Sequence, residues 1–168
     1  VLLNIERLVG SQHNDVLTGD PLNANQIEGN SGDDIIVGGA DDDLLVGGQG
    51  KDNLSGGQGS DWTSYAFSRS AVSVYFNLGM GFGSDASGDT YASIENVVLS
   101  GFGDRFFGDN GANEVHALSG DDLLDGGGGL DTINAGSGDD TVRGYGTGAV
   151  LSGGGYSNRA SGTDLISY

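Results

Sequence analysis

A nine-residue period constrains this chain more than any other feature. From Gly29 to Asp61 the sequence falls into rows at 29–37, 38–46 and 47–55, with a fourth opening at Gly56. Each row has glycines or small residues early, an acid sixth (Asp34, Asp43, Asp52, Asp61) and, in the three complete rows, an aliphatic residue eighth (Ile36, Leu45, Leu54). A unit this short cannot bury an apolar face alone, so rows must stack on one another to make a core. The last three residues of a row read as a short strand whose central side chain points inward while its neighbours point out.

The first half of a row has a different chemistry. Glycine takes φ > 0 without a Cβ clash, and it leaves carbonyl oxygens uncovered, free to converge on a cation. The sixth-position Asp adds a charge and a hard oxygen. Hard oxygens in a flexible turn suit Ca²⁺ better than zinc or copper. An Asx-turn, in which Asp only caps its own backbone, would explain one turn. It does not explain Asp34, Asp43, Asp52, Asp61, Asp122, Asp131 and Asp140 at one phase.

These rows resemble the RTX (hemolysin-type) calcium-binding repeats, with the nonapeptide G-G-x-G-x-D-x-U-x, where U is a large apolar residue. The resemblance implies an all-β fold: a parallel β-roll in which two rows make one coil. Ca²⁺ would lie between the turns of rows n and n+2 on one edge. It pairs Asp34 with Asp52, Asp43 with Asp61, and Asp122 with Asp140. Asp131 faces Asn113 two rows before it and Ala149 two rows after. The turn positions implied as metal-binding beside these acids are Gly32, Asp41, Gly48, Gly50, Gly57, Gly59, Gly120, Gly127, Gly129, Gly136 and Gly138. Asp41 replaces a fourth-position glycine, so its turn is expected to be strained or to bind differently. Asp33, Asp41, Asp42, Asp121 and Asp139 would add carbonyls or strengthen the field.

Composition narrows the alternatives. There are 34 Gly and one Pro in 168 residues, without the every-third period of collagen. Acids outnumber bases 24 to 6, a net charge of −18. Such a chain repels itself without a cation, and it is a poor ligand for nucleic acid or an anionic membrane. A merely solvated acidic surface would need no phase. With no cysteine, disulfides and thiolate sites are excluded. No apolar run reaches the length of a membrane span. No signal peptide reads from Val1, and the missing Met suggests a fragment or a processed chain.

Along the chain, 10–18 is a degenerate row with Asp15 and inward Leu17. Residues 19–28 are one too many for a row; with Asn25 and inward Ile27 they are expected to cap the roll. From Tyr65 to Ser93 the period vanishes. Val72, Val74 and Phe76 alternate with polar neighbours as in a half-buried strand. This spacer is expected to pack on the roll, cover an edge and join two rolls; Asp89 falls outside the row phase. The pattern then restarts at an offset of 89 residues, as from Ile5 to Ile94 and from Asp15 to Asp104. Rows follow at 108–116, 117–125, 126–134 and 135–143, with inward Val115, Leu124, Ile133 and Val142. Row 144–152 lacks its Asp, the row from Gly153 carries an insertion, and 164–168 matches 61–65. The chain looks cut from a longer array.

The expected fold is therefore two parallel β-rolls joined by a short β spacer: 1–64, a first calcium-binding roll with an N-terminal cap; 65–93, the spacer; 94–168, a second calcium-binding roll. His13 and His116 have no partner cluster and read as surface residues. Ser64 and Ser119 lack a nucleophile context, so no catalytic residue is expected. Trp62, Tyr65, Tyr75 and Phe82 read as a cover for the apolar end before a sugar platform. The resemblance implies a calcium-dependent folding module of a secreted or cell-surface bacterial protein, exported unfolded by a one-step type I route. A structural repeat of a surface layer, fibre or adhesin and a polysaccharide-binding accessory module are the alternatives. Expected partners are calcium, copies of the chain itself or a polysaccharide.

Overall fold

The computed structural model describes residues 7–143 together with the strands at 150–152 and 165–167. Ile5-Glu6, Ala149, the turn from Gly153, Asp164 and Tyr168 lie outside the described residues.

The rows wind into a parallel β-solenoid with two sheets. One has eight strands in the order β1 (Arg7–Val9), β3 (Gln26–Ser31), β5 (Leu44–Gln49), β7 (Trp62–Ser64), β11 (Asn96–Val98), β13 (Glu114–His116), β15 (Thr132–Asn134) and β17 (Val150–Ser152). The other has ten: β2 (Val16–Thr18), β4 (Ile35–Ala40), β6 (Asn53–Gln58), β10 (Thr90–Ala92), β9 (Met80–Phe82), β8 (Ser73–Tyr75), β12 (Arg105–Phe107), β14 (Leu123–Asp125), β16 (Thr141–Arg143) and β18 (Leu165–Ser167). Successive rows alternate between the sheets, so two rows close one coil.

The register stacks the eighth-position side chains into columns. In the first sheet Ile27 faces Leu45, Leu45 faces Thr63, Thr63 faces Val97, and Val115 and Ile133 continue the column. In the second, Leu17, Ile36, Leu54 and Tyr91 form one run, and Val74, Phe106, Leu124 and Val142 another. Ile27, Ile36, Leu45, Leu54, Val115, Leu124 and Ile133 have no exposed surface. Thr63 is the polar exception, and its buried Oγ1 accepts and donates nothing among the described residues. The core is thin because each row contributes one such side chain.

Two local expectations change. Residues 19–28 do not end the sheet: β3 lies between β1 and β5. The extra residue is absorbed in a turn where the Asp20 carboxylate accepts from the Leu22 amide and Asn25 accepts from the Asp20 amide, which leaves Ile27 in register. The spacer also does more than lie against the roll. β8 is parallel to β12, β9 is antiparallel to both β8 and β10, and β10 is parallel to β6, so the spacer is built into the ten-stranded sheet. In the other sheet β7 pairs directly with β11. Val72 and Val74 are buried as their alternation predicts. Phe76 meets Phe106 and Tyr91 edge-on, with ring centroids 5.3 and 5.5 Å apart.

Candidate metal centre

The strands place the sixth-position residues along the two edges where the sheets meet. Each carboxylate bonds upward in the same way. Asp52 Oδ1 accepts from the Asp34 amide at 2.9 Å, Asp61 Oδ1 from Asp43 at 2.8 Å, and Asp140 Oδ1 from Asp122 at 2.9 Å. These are the three Asp pairs that the resemblance joins, each 18 residues apart. Asp34 and Asp43 extend the ladders to the amides of Asp15 and Asn25, Asp122 to Asp104, and Asp131 to Asn113 at 3.1 Å. An outer ladder runs beside them: Asp33, Asp42 and Asp121 accept from the amides of Lys51, Ser60 and Asp139.

The second carboxylate oxygen has a different fate. Among the described residues, Oδ2 of Asp34, Asp43, Asp52, Asp61, Asp122 and Asp131 is buried and has no hydrogen-bond partner. These side chains are 0–2% exposed. A buried acceptor without a partner costs on the order of 1–3 kcal/mol, more when charged, and native folds leave few of them. Six in one phase are an arrangement that a cation would satisfy.

The turn glycines make room for it. Gly32, Gly48, Gly50, Gly57, Gly59, Gly120, Gly127, Gly129, Gly136 and Gly138 all have positive φ, from 75° to 147°. At Gly50, for example, a Cβ would run into the carbonyl oxygen of Gly32, two rows back. Asp41 adopts φ 65°, a left-handed conformation in which Asp is tolerated more often than most residues. First-position glycines hold the other wall: a Cβ on Gly38 would meet Asp43 Oδ2 and lie 2.8 Å from the Gly56 carbonyl oxygen. Carboxylate and carbonyl oxygens thus converge where side chains are missing. Among the described residues no three carboxylate or imidazole groups come together, so backbone carbonyls must supply much of any ligand set. That donor set fits Ca²⁺.

Electrostatics point the same way. Burial raises Asp52 and Asp61 to a pKa of about 6, against the stabilising amides of Asp34 and Asp43; nearby carboxylates add to the rise. Asp122 is pushed up to about 8, first by burial and then by Asp104 and Asp140. Burial likewise raises Asp34, Asp43 and Asp131.

Some rungs of the ladder are closed by hydroxyl groups. Asp15 Oδ2 takes the Ser11 amide and hydroxyl at 2.6 and 2.9 Å. Asp104 Oδ2 takes those of Ser100 at 2.7 and 2.9 Å. Both serines stand at the second position of a degenerate row, a signal visible in the sequence once the rows are aligned. Asp89 is the site residue that row phase does not reach. Its Oδ1 accepts from the Asp52 amide at 2.9 Å, and its Oδ2 from the Tyr65 hydroxyl at 2.6 Å. Tyr65 is therefore interior and bonds Tyr91 as well. Burial raises Asp89 to about 7. Trp62 packs edge-on against His116, which contacts Glu114 at 2.9 Å, and Tyr75 stacks on Phe107 and meets Phe82.

Comparison with known families matches the RTX calcium-binding nonapeptide repeat (4 copies) at residues 28–62, 100–133 and 107–142. No curated protein matches the chain.

Proposed function

This chain carries RTX calcium-binding nonapeptide repeats, and from that premise we propose that it is a calcium-dependent folding module of a secreted protein. Calcium binds the repeats; Asp34, Asp43, Asp52, Asp61, Asp122, Asp131 and Asp140, with the turn carbonyls beside them, hold it. The observation that carries this reading is the set of six buried carboxylate oxygens without a partner among the described residues. In the metal-free chain those charges oppose the fold, and the thin core offsets them poorly. Ca²⁺ binds the folded turns and barely the unfolded ones, so its binding free energy becomes folding free energy. Expected affinities are in the weak extracellular range, Kd roughly 10⁻⁴–10⁻³ M. A low-calcium cytosol then leaves the chain unfolded for export, and the medium outside folds it. Residues 1–64 and 94–168 act as the calcium rolls and 65–93 as the spacer between them.

Among the described residues no helix is long and apolar enough to cross a membrane. The 89-residue duplication favours, as a second reading, a structural repeat of a surface layer or fibre. Circular dichroism in chelator and then in millimolar Ca²⁺ tests the main proposal. Calcium should convert a largely disordered spectrum to β structure; an unchanged spectrum would refute it.

A further inference from the structure

We propose that the end of the spacer completes a calcium site of its own, in which Ser93 and Glu95 stand in for the missing next row above Asp61. The inference rests on the calcium reading of the repeats, but Ser93 and Glu95 lie outside the matched repeats, which end just beyond Asp61. Within the rows, a first-position glycine faces two oxygens: Oδ2 of its own row's Asp and the first-position carbonyl of row n+2. Gly29 faces Asp34 Oδ2 and the Gly47 carbonyl; Gly38 faces Asp43 Oδ2 and the Gly56 carbonyl. Gly56 has no row n+2. A Cβ there would instead collide with Asp61 Oδ2 and with the carbonyl oxygen of Ser93. Ser93 thus occupies the place of a first-position glycine.

The carboxylate is replaced too. In the rows, the amides of Asp34, Asp43, Asn113 and Asp122 donate to the Asp one coil further on. The Asp61 amide donates to Glu95 Oε2 at 2.9 Å, at a separation of 34 residues. Glu95 follows Ser93 by two residues where a row would use five, and the longer Glu side chain spans the shortened turn. The Glu95 backbone is pinned by two bonds: its amide donates to the Asp61 carbonyl, and its carbonyl accepts from Asn113 Nδ2 at 2.8 Å. The independent mark of a ligand is Asp61 itself, which has no exposed surface and whose Oδ2 has no partner among the described residues. Among the described residues no hydroxyl closes this rung, in contrast to Asp89 on the other edge. A divalent hard cation held by Asp61, Glu95 and the Ser93 carbonyl fits the donor set.

Glu95→Gln keeps an acceptor for the Asp61 amide and removes the charge. Native mass spectrometry at saturating Ca²⁺ should find one ion fewer on this variant than on the parent, with the circular dichroism of both alike. Glu114→Gln, which removes a carboxylate outside the ladder, should keep the parent's count. An equal count for Glu95→Gln and parent overturns the junction site and leaves the repeat sites standing. A parent that takes up no ion overturns the functional reading and this site with it. Should Glu95→Gln fail to fold, Glu95→Asp decides: its shorter reach should weaken one calcium site about tenfold in a calcium titration, and an unchanged curve overturns the proposal.

Discussion

Asp52 and Asp89 are neighbours on one ladder and face opposite conditions. Both are buried, and both accept a backbone amide one coil away through Oδ1. Among the described residues Asp52 Oδ2 has no partner, while Asp89 Oδ2 accepts from the Tyr65 hydroxyl. The same division separates Asp34 from Asp15 and Asp122 from Asp104 along their columns. The buried carboxylates thus fall into two sets, those whose Oδ2 a hydroxyl of the chain satisfies and those whose Oδ2 would be satisfied by the proposed ion. Asp15, Asp89 and Asp104, which lie outside the well-formed nonapeptide rows, belong to the hydroxyl set; Asp34, Asp52 and Asp122 belong to the other.

The largest effect should come from titrating the ion-dependent rungs together. A carboxylate whose folded pKa is raised binds protons more tightly in the fold than in the unfolded chain. Its destabilising charge is therefore absent at about pH 4 and grows as pH rises toward about 8, the span set by Asp52, Asp61 and Asp122. In chelator, acidification from pH 8 to 4 should raise β content by circular dichroism. With calcium present, protons compete with the ion, and acid should weaken binding. A chelated chain whose β content falls on acidification would break the comparison.

Next is Asp52→Ala. It removes a proposed ligand and the acceptor of the Asp34 amide, and should cost about 3–5 kcal/mol in calcium, as breaking a buried charged network does. Calorimetry should show weaker calcium binding and less cooperative folding. Asp89→Ala strips partners from the Asp52 amide and the Tyr65 hydroxyl and should cost about 2–3 kcal/mol. Denaturation should find that loss in chelator, at a pH where some fold remains, as well as in calcium, with no change in ion count. A lower ion count would place Asp89 among the ligands.

The smallest effect sharpens the contrast most. Ser100→Gly removes the hydroxyl from Asp104 Oδ2 and should cost about 1 kcal/mol in chelator. Millimolar calcium should restore it by occupying the vacated position. A loss of equal size with and without calcium would show that Ser100 only braces the turn.

The inward columns and the sixth-position acids were legible because both repeat at nine residues. Ile36, Leu45, Leu54, Val115, Leu124 and Ile133 are inward for the same reason that Asp34 and Asp122 lie on the edge. Asp89 and Glu95 were hidden because the spacer carries no phase: their partners sit 37 and 34 residues away where the rows use 18. Tyr65 was hidden differently. An aromatic next to a repeat reads as a cover, and only the coil brings its hydroxyl to Asp89. The serines that close Asp15 and Asp104 were readable in principle, since both fall at the second position of a row.

Those separations bear on how the chain finds its fold. Each coil within an array closes a loop of 18 residues, and the junction closes one of 34 to 37. Loop-closure entropy grows only logarithmically, so doubling the loop adds about 0.6 kcal/mol. A folding front that starts in either array and advances by nearest-neighbour stacking meets the spacer as a low step. Because β7 and β11 bond directly, the front can cross there and continue into the second array without a new nucleus.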